Sequence, residues 1–565
     1  MNRLIALLVF LALPAKLAVC QTGSGIDEIA ATPAVASDLA TLCKVWGLVK
    51  YHHPGLAAGD VDWDAELFHV IPAYLAEESS SAKADCLVEW LEKLGPIKEA
   101  KPAKSAKKKC IEPDLHWVDE LSSERLIVLL KAIVASRHAP TSYVRFDLSG
   151  LVSFVEKPYE SLTYPDTGYR LLALFRYWNI VQYYSPYREL PDVPWSQTLN
   201  DFVPKFLNAS DALEYRLAIL ELTTRLQDGH ANGGIGDDLV SKFWGVNQSL
   251  VRTRFIEDSL VVTGFWQEEI DSAIEVGDVI KTIDGVPAKL KADRLATHIP
   301  ASNQPTLMSY ITLRMLRSNA EEIVVEFERN SKLGTTTIPC VSMSQLGKLR
   351  KEKQAKAGSA WKVKDGIGYI HLDNFTDEQR SEIMDEMMKV DRLVVDARGY
   401  PRGKIKPLLN SFLRVRTPFV LLSFPKPDEP GAYTQTQQSV GYTRLDTLIQ
   451  RPKIFEGKVA ILVNVSTQSF AEHCAAAVRV APKAKVFGST TAGADGNVVS
   501  IVLPGGFNTR ISGLGVYTPD GEFLERKGVI PNVSILPTVN DVKQGNDRVL
   551  HVALDWLNCM IHTDC

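Results

Sequence analysis

Beyond its first twenty residues the sequence has no apolar run approaching the roughly 20 residues needed to cross a bilayer. It also lacks a charge bias. Its 63 basic and 67 acidic residues leave a formal net charge of −4, so no global field draws the chain to nucleic acid or to an anionic membrane. Cysteine is sparse, with eight in 565 residues, and no C-x-x-C or His/Cys cluster has zinc spacing. No structural metal and no cofactor is expected.

What is present begins with the leader. "MNRLIALLVFLALPAKLAVCQ" sets Arg3 before an apolar run and small residues around Ala18 and Cys20, which reads as an export signal over residues 1–20 and an extracytoplasmic (periplasmic or secreted) protein. The alternative is a lipid anchor on Cys20, for which Val19 is bulky. Seven cysteines remain (Cys43, Cys86, Cys110, Cys340, Cys474, Cys559 and Cys565), an odd count that leaves at least one thiol without an intramolecular partner. The close pair in "CMIHTDC" is a candidate disulfide.

A chain of this length should divide into three or four domains. The first signal of division is a repeat. "LCKVWGLVKYHHPGLAAGDVDWDAEL" realigns without a gap on "LFRYWNIVQYYSPYRELPDVPWSQTL", pairing Trp46 with Trp178, Tyr51 with Tyr183, Pro54 with Pro186 and Trp63 with Trp195. Both copies carry apolar residues at helical spacing and break at the proline, predicting two related helical segments over residues 21–150 and 151–236. Their aromatic stripes could be a ligand box, but such stripes are more often core. Between them, "KEAKPAKSAKKKC" reads as a solvated loop.

From about Asp237 the texture turns to β, with "SLVVTGF", "VGDVIKTIDGVPA" around a D-G turn, "EIVVEFERN" and "GTTTIP". Residues 237–345 are therefore a small β-rich module, and "GDVIKTIDG" resembles the corresponding stretch of PDZ domains, whose edge groove takes an extended peptide as an added strand. A lysine-rich connector, "GKLRKEKQAKAGSA", then leads into alternating strands and helices over 346–565, an α/β domain.

Within that domain, "KVAILV" suits a buried strand and "AEHCAAAVRVA" a helix, joined by a turn that holds Ser469 and Glu472. S-x-x-E is the signature of a capping box, and capping boxes far outnumber catalytic serines. A serine at a strand-to-helix turn can also be presented as a nucleophile, with the next N–H, that of Phe470, aimed at a developing oxyanion. His473 lies one helical turn along and is badly placed to serve as its base. His230, in the glycine-rich "LQDGHANGGIG", is presented better, although spacing alone does not choose it.

"IGYIHLDNF", "LVVDARGYPRG", the segment around Ser469 and "LERKGVIPNV", in this order after the PDZ-like stretch, resemble the tail-specific and tricorn-type serine peptidases. The resemblance implies a multidomain α/β protein: an N-terminal helical region with the internal repeat, a PDZ-like module and a crotonase-like α/β serine peptidase domain. It makes Ser469 the nucleophile. The branch that pairs this serine with a lysine has "T-x-G-K-G", where this chain has Ala494. The tricorn-like branch uses a histidine and a glutamate instead, which here fall on His230 as general base and Glu525 as orienting carboxylate. That branch also carries a serine before the histidine, where this chain has Gly229, so Glu525 would reach His230 directly or through water, or Asp228 would help. Glu472 is a further supporting carboxylate. For the oxyanion, Phe470 N–H would be joined by Gly403, although Arg402 replaces a neighbouring glycine of the family pattern.

The expected activity is peptide-bond hydrolysis through an acyl-enzyme at Ser469 on a peptide or protein substrate, with a PDZ-like module that either grips and delivers the substrate or gates the site. The rival is a catalytically silent peptide- or lipid-binding protein on the same scaffold, since retinoid-binding relatives exist and fold does not fix function.

Overall fold

The computed structural model describes residues 23–97, 108–136, 140–356, 358–450 and 452–559. Residues 1–20, read above as an export signal, Cys565 and most of the first lysine-rich tract lie outside them. Among the described cysteines, Cys559 is disulfide-bonded, while Cys43, Cys86, Cys110, Cys340 and Cys474 are free.

The repeat is built around two helices, Pro33–His52 and Thr167–Tyr184, each ending just before its aligned proline. An indole N–H in a dry interior needs an acceptor, and both copies solve this in the same way. Trp46 and Trp63 each donate Nε1–H to the other's carbonyl at 3.0 Å; Trp178 and Trp195 do the same at 3.0 and 3.1 Å. The copies cross at equivalent positions. Tyr51 meets Tyr183 edge to face at 5.6 Å, and a Cβ on Gly47 would lie 1.8 Å from Oδ1 of Asn179, the residue aligned with it. The crossing holds one side chain, so one copy keeps a glycine. All these aromatic residues are core.

Four buried charges brace this region: Lys50 and Arg176 against Asp64 and Glu156, with Lys50 Nζ 2.8 Å from Glu156 and Arg176 Nε 3.0 Å from it. Equal numbers of each sign keep the cluster neutral, which a buried set requires. Arg176 also donates to the carbonyl of Val502 at 3.4 Å, and Tyr215 to that of Pro504 at 2.9 Å. These contacts seat the hairpin Val498–Leu503/Phe507–Ser512 in the helical core, where Ile501, Leu503, Phe507 and Ile511 pack. The hairpin belongs by sequence to the C-terminal segment. Its packing ties that segment to the N-terminal helices.

The β-rich module is an eight-stranded sheet ordered 251–256, 259–265, 279–283, 322–329, 332–342, 247–249 and 317–318, with 286–287 paired to 279–283. Asp284 and Gly285 both have positive φ, +49° and +75°, the two-residue hairpin turn that D-G favours. The helices Ala288–Ala296 and Gln304–Met315 belong to this module. Much of the lysine-rich connector lies in a helix, Met343–Ala355, started by a capping box between Ser342 and Gln345. Its Lys, Gln, Glu and Leu residues are strong helix formers.

The α/β domain is a six-stranded sheet ordered 361–364, 367–371, 392–396, 458–463, 484–488 and 533–534, parallel except for the first strand. Both faces are covered. Leu393, Val395, Val459, Ile461 and Val463 face one core, while Val394, Ala460 and Leu462 face the other under the Arg548–Asn558 helix. Burial on both sides explains the continuous apolar run of "KVAILV". A long hairpin, Thr417–Lys426/Glu429–Val440, forms a second sheet with Lys109–Ile111 and Gly515–Tyr517. In open α/β sheets ligands gather at the carboxyl ends of the strands, and there the 458–463 strand delivers Ser469.

Candidate active site

Ser469 caps the Phe470–Arg479 helix in the S-x-x-E arrangement, but its backbone is not that of an ordinary cap. Its φ is +56° and ψ −126°, whereas the capping serines Ser79, Ser123 and Ser342 have φ of −105°, −108° and −58°. A non-glycine residue in this region costs on the order of 1–3 kcal/mol and persists only where the surroundings impose it. Two contacts do so: Ser469 N–H donates to the Ala494 carbonyl at 2.9 Å and to Glu472 at 3.2 Å. Glu472 is 1 % exposed and also accepts from Gly493 N–H at 2.8 Å, Ala494 N–H at 2.9 Å and the Thr491 hydroxyl. Burial, and secondarily the charge of Asp495, pushes its carboxyl up to about 7. Glu472 thus fastens the 491–494 loop to the serine turn.

The N–H of Phe470, the first residue of the helix, has no acceptor among the described residues, as expected of an N-terminal amide. Gly403 sits in a turn with φ +66°, held by Arg402 N–H to Leu372 O at 3.1 Å and Lys404 N–H to Asp377 at 2.7 Å. No hydrogen bond joins Gly403 to the serine turn. The loop containing it meets that turn through the Thr467 hydroxyl, which donates to Ala397 O at 2.9 Å. His473 is a wall residue, packed on Phe419 and Phe470 with Nδ1 3.4 Å from Asp495.

The turn carrying His230 is pinned to the 507–512 strand: Gly233 bridges Thr509, and Gly234 N–H donates to Asn508 O at 2.9 Å. It also touches the serine turn, since Gln468 Nε2 lies 3.4 Å from the Gly229 carbonyl. The residue before Ser469 thereby contacts the residue before His230, although the described hydrogen bonds do not include one between the hydroxyl and the imidazole. Catalytic pairs are often long before substrate arrives. His230 is 7 % exposed, and its Nδ1 is 2.9 Å from the hydroxyl of Ser512. That hydroxyl donates to Asp228 Oδ1 at 3.0 Å. Asp228, fully buried, also accepts from Ser512 N–H at 2.7 Å and His230 N–H at 2.8 Å, and its Oδ1 lies 3.9 Å from the imidazole Nδ1.

Glu525 reaches the same region but not the imidazole. It accepts from the Ser302 hydroxyl at 2.6 Å, and Ser302 accepts from Gly229 N–H at 2.7 Å. Its other oxygen is buried without a partner. Burial first, then the charge of Asp228, holds its carboxyl well above the usual carboxylate range. Of the three routes by which Glu525 could support His230, directly, through water or with the help of Asp228, the direct one is not among the described hydrogen bonds, since Gly229 N–H and the Ser302 hydroxyl lie between them.

Ser512, Ser302 and Gln468 had no sequence signal: a serine at a strand end or in a loop is unremarkable until the fold sets it beside His230 or Gly229. Tyr310, whose hydroxyl is buried near Gly229, was equally silent. Asn303 clamps this wall, with Nδ2 near the carbonyls of Ala492 at 3.0 Å, Arg526 at 3.2 Å and Thr491 at 3.3 Å.

Residues 366–535 match peptidase family S41. A probable CtpA-like serine protease of Staphylococcus aureus is 26 % identical over 231 residues, 38 % of this chain and 44 % of that one. The corresponding protein of Staphylococcus haemolyticus is 24 % identical over 260 residues, 41 % and 49 % of the two chains. The chain thus spans about half the length of the curated relatives it matches. Among solved structures, mature CPAF complexed with lactacystin superimposes with a TM-score of 0.52 at 12 % identity, over 69 % of this chain and 97 % of that one, a likeness of fold.

Proposed function

With its residues 366–535 belonging to peptidase family S41, we propose that the chain is a serine peptidase that opens peptide bonds through an acyl-enzyme on Ser469. The observation that carries this reading is the positive-φ serine at the carboxyl end of a parallel strand, its turn in contact with the turn of a buried histidine. An ordinary cap has no use for that strained backbone.

His230 Nε2 takes the Ser469 proton as Oγ attacks the scissile carbonyl, and returns it to the leaving amine; water then repeats the cycle on the ester. The oxyanion is received by Phe470 N–H, with Gly403 N–H from the neighbouring strand's exit loop as the candidate second donor. Glu472 holds the loops that shape the serine turn. The substrate is an extended peptide or protein segment, gripped by a PDZ-like groove in residues 237–345, and the setting is extracytoplasmic, in keeping with the leader at 1–20.

The rival reading is a silent binding scaffold, which the absence of a hydrogen bond between Ser469 and His230 would suit. A fluorophosphonate probe decides between them. Labelling at Ser469 that Ser469→Ala abolishes, together with casein cleavage lost in the same variant, supports the peptidase. Absence of labelling in the folded wild-type chain overturns it.

A further inference from the structure

We propose that His230 is positioned by Ser512 and Asp228, in a relay running Asp228 Oδ1, Ser512 Oγ, His230 Nδ1, and that Glu525 takes no part in it. The inference rests on the peptidase reading of Ser469 and His230. It assigns the orienting carboxylate to a residue on the histidine's own turn and the intermediary to a strand end that no motif marks.

The directions of the hydrogen bonds are forced. Asp228 accepts from two backbone amides and from the Ser512 hydroxyl, so the Ser512 proton points at Asp228 and its oxygen is free to accept. The partner 2.9 Å away on the other side must then donate, which fixes the proton on Nδ1 and leaves the Nε2 lone pair for Ser469. When His230 takes the serine proton, one O–H bond breaks at Ser469 and one N–H bond forms at Nε2. The Nδ1 proton stays in place, and the new positive charge lies 3.9 Å from Asp228 Oδ1 along Nδ1. No second proton moves.

Glu525 offers neither contact nor charge. Its hydrogen bond comes from Ser302, its second oxygen is buried without a partner, and its burial beside Asp228 keeps it in the neutral form. Asp228 thus collects three donors, two of them backbone amides, where Glu525 has a single one. The phenols of Tyr177 and Tyr310, which also face the charge of Asp228, are held above the usual phenol range by burial first and so stay neutral. The Ser512 strand is kept in place by the hairpin's packing into the helical core, so the relay is braced from outside the α/β domain.

The test compares Ser512→Ala, Ser512→Thr, Asp228→Asn and Glu525→Gln in the full chain. It reads the second-order rate of Ser469 labelling by a fluorophosphonate, and of casein cleavage, as a function of pH. Ser512→Ala keeps the backbone N–H to Asp228 and is expected to lower the rate about 10²-fold with KM nearly unchanged. Loss of the link also withdraws stabilisation of the imidazolium, so the acid limb of the profile should move to lower pH, which a merely structural defect would not do. Ser512→Thr should restore most of the rate. Asp228→Asn should show the larger loss and the same direction of shift, and Glu525→Gln, an uncharged group for an uncharged group, should stay within about threefold with no shift. The proposal is overturned if Glu525→Gln collapses the rate and moves the limb while Ser512→Ala leaves both unchanged. If wild type is not labelled at all, the peptidase reading fails instead.

Discussion

A Cβ placed on Gly229 would lie 3.1 Å from the Ser302 hydroxyl and 2.9 Å from the Ala494 methyl. The position ahead of His230 is thus closed to a side chain, and Ser302, from a segment more than seventy residues away, occupies the space. Gly229→Ser should therefore overpack the site, costing about 1–3 kcal/mol in urea unfolding and lowering activity. Ala494→Gly removes the nearer obstacle. A double-mutant cycle should show a favourable coupling of roughly 1 kcal/mol between the two changes; strict additivity would mean that Gly229 is glycine for some other reason.

The backbone of Ser469 makes a second expectation unusual for a candidate nucleophile. At φ +56° and ψ −126° any residue with a Cβ is strained, and glycine is not. Ser469→Ala should abolish labelling and casein cleavage while leaving stability close to wild type. Ser469→Gly should abolish both and raise stability by about 1 kcal/mol, the released strain less the glycine's own entropy cost. Thermal and urea melts of the two variants check this, and a less stable glycine variant would refute the strain account.

The two buried carboxyls give stability a definite pH dependence. Glu472 titrates at about 7 in the folded chain, above an unfolded value near 4.5, so the folded state holds the extra proton. Its contribution is complete below about pH 4.5 and is lost as pH rises through about 7, a change of about 3 kcal/mol by linkage. Glu525, also raised, acts with the same sign. Glu525→Gln should match wild type within about 1 kcal/mol at pH 5 and exceed it at pH 9, because the amide has no proton to lose. Urea midpoints at the two pH values measure the difference; a variant equally destabilised at both would show Glu525 to be charged.

Much of the architecture was legible because it follows from periodicity and turn chemistry. The repeat, the D-G hairpin, the strand before Ser469 and the helix after it all left local patterns. What stayed hidden was pairing at a distance. Alignment of the repeats could set Gly47 opposite Asn179, yet only the crossing of the helices explains why both cannot be large. Gly47→Ala should cost several kcal/mol, beyond the ordinary range for an overpacked core site, since its Cβ would fall 1.8 Å from Asn179 Oδ1. Asn179→Ala in the same chain should recover part of that loss. In the site, resemblance offered Ser469 and His230 as candidates but not Ser512, because its contact with His230 arises only from where the 507–512 strand lies against the histidine turn.

The wall that joins the β-rich module to the site makes a last outcome predictable. Ser302 and Asn303 stand just ahead of the Gln304–Met315 helix; Asn303 caps that helix through Oδ1 while its amide reaches three carbonyls of the Thr491, Ala492 and Arg526 segments. Excising residues 237–342 would remove both residues along with the module, leaving Gly229 N–H without its acceptor and the 491–494 segment without the Asn303 clamp, so activity should be lost rather than released. Excision could also unfold the chain, and Asn303→Asp separates the effects. Aspartate keeps the helix cap but replaces a donor with a charge facing three carbonyl oxygens. The 491–494 loop that positions Ser469 through Ala494 should then shift, and fluorophosphonate labelling should fall about tenfold with the fold retained by circular dichroism. Labelling at the wild-type rate in Asn303→Asp would show that the module only stands beside the site, and that the serine turn holds its geometry without it.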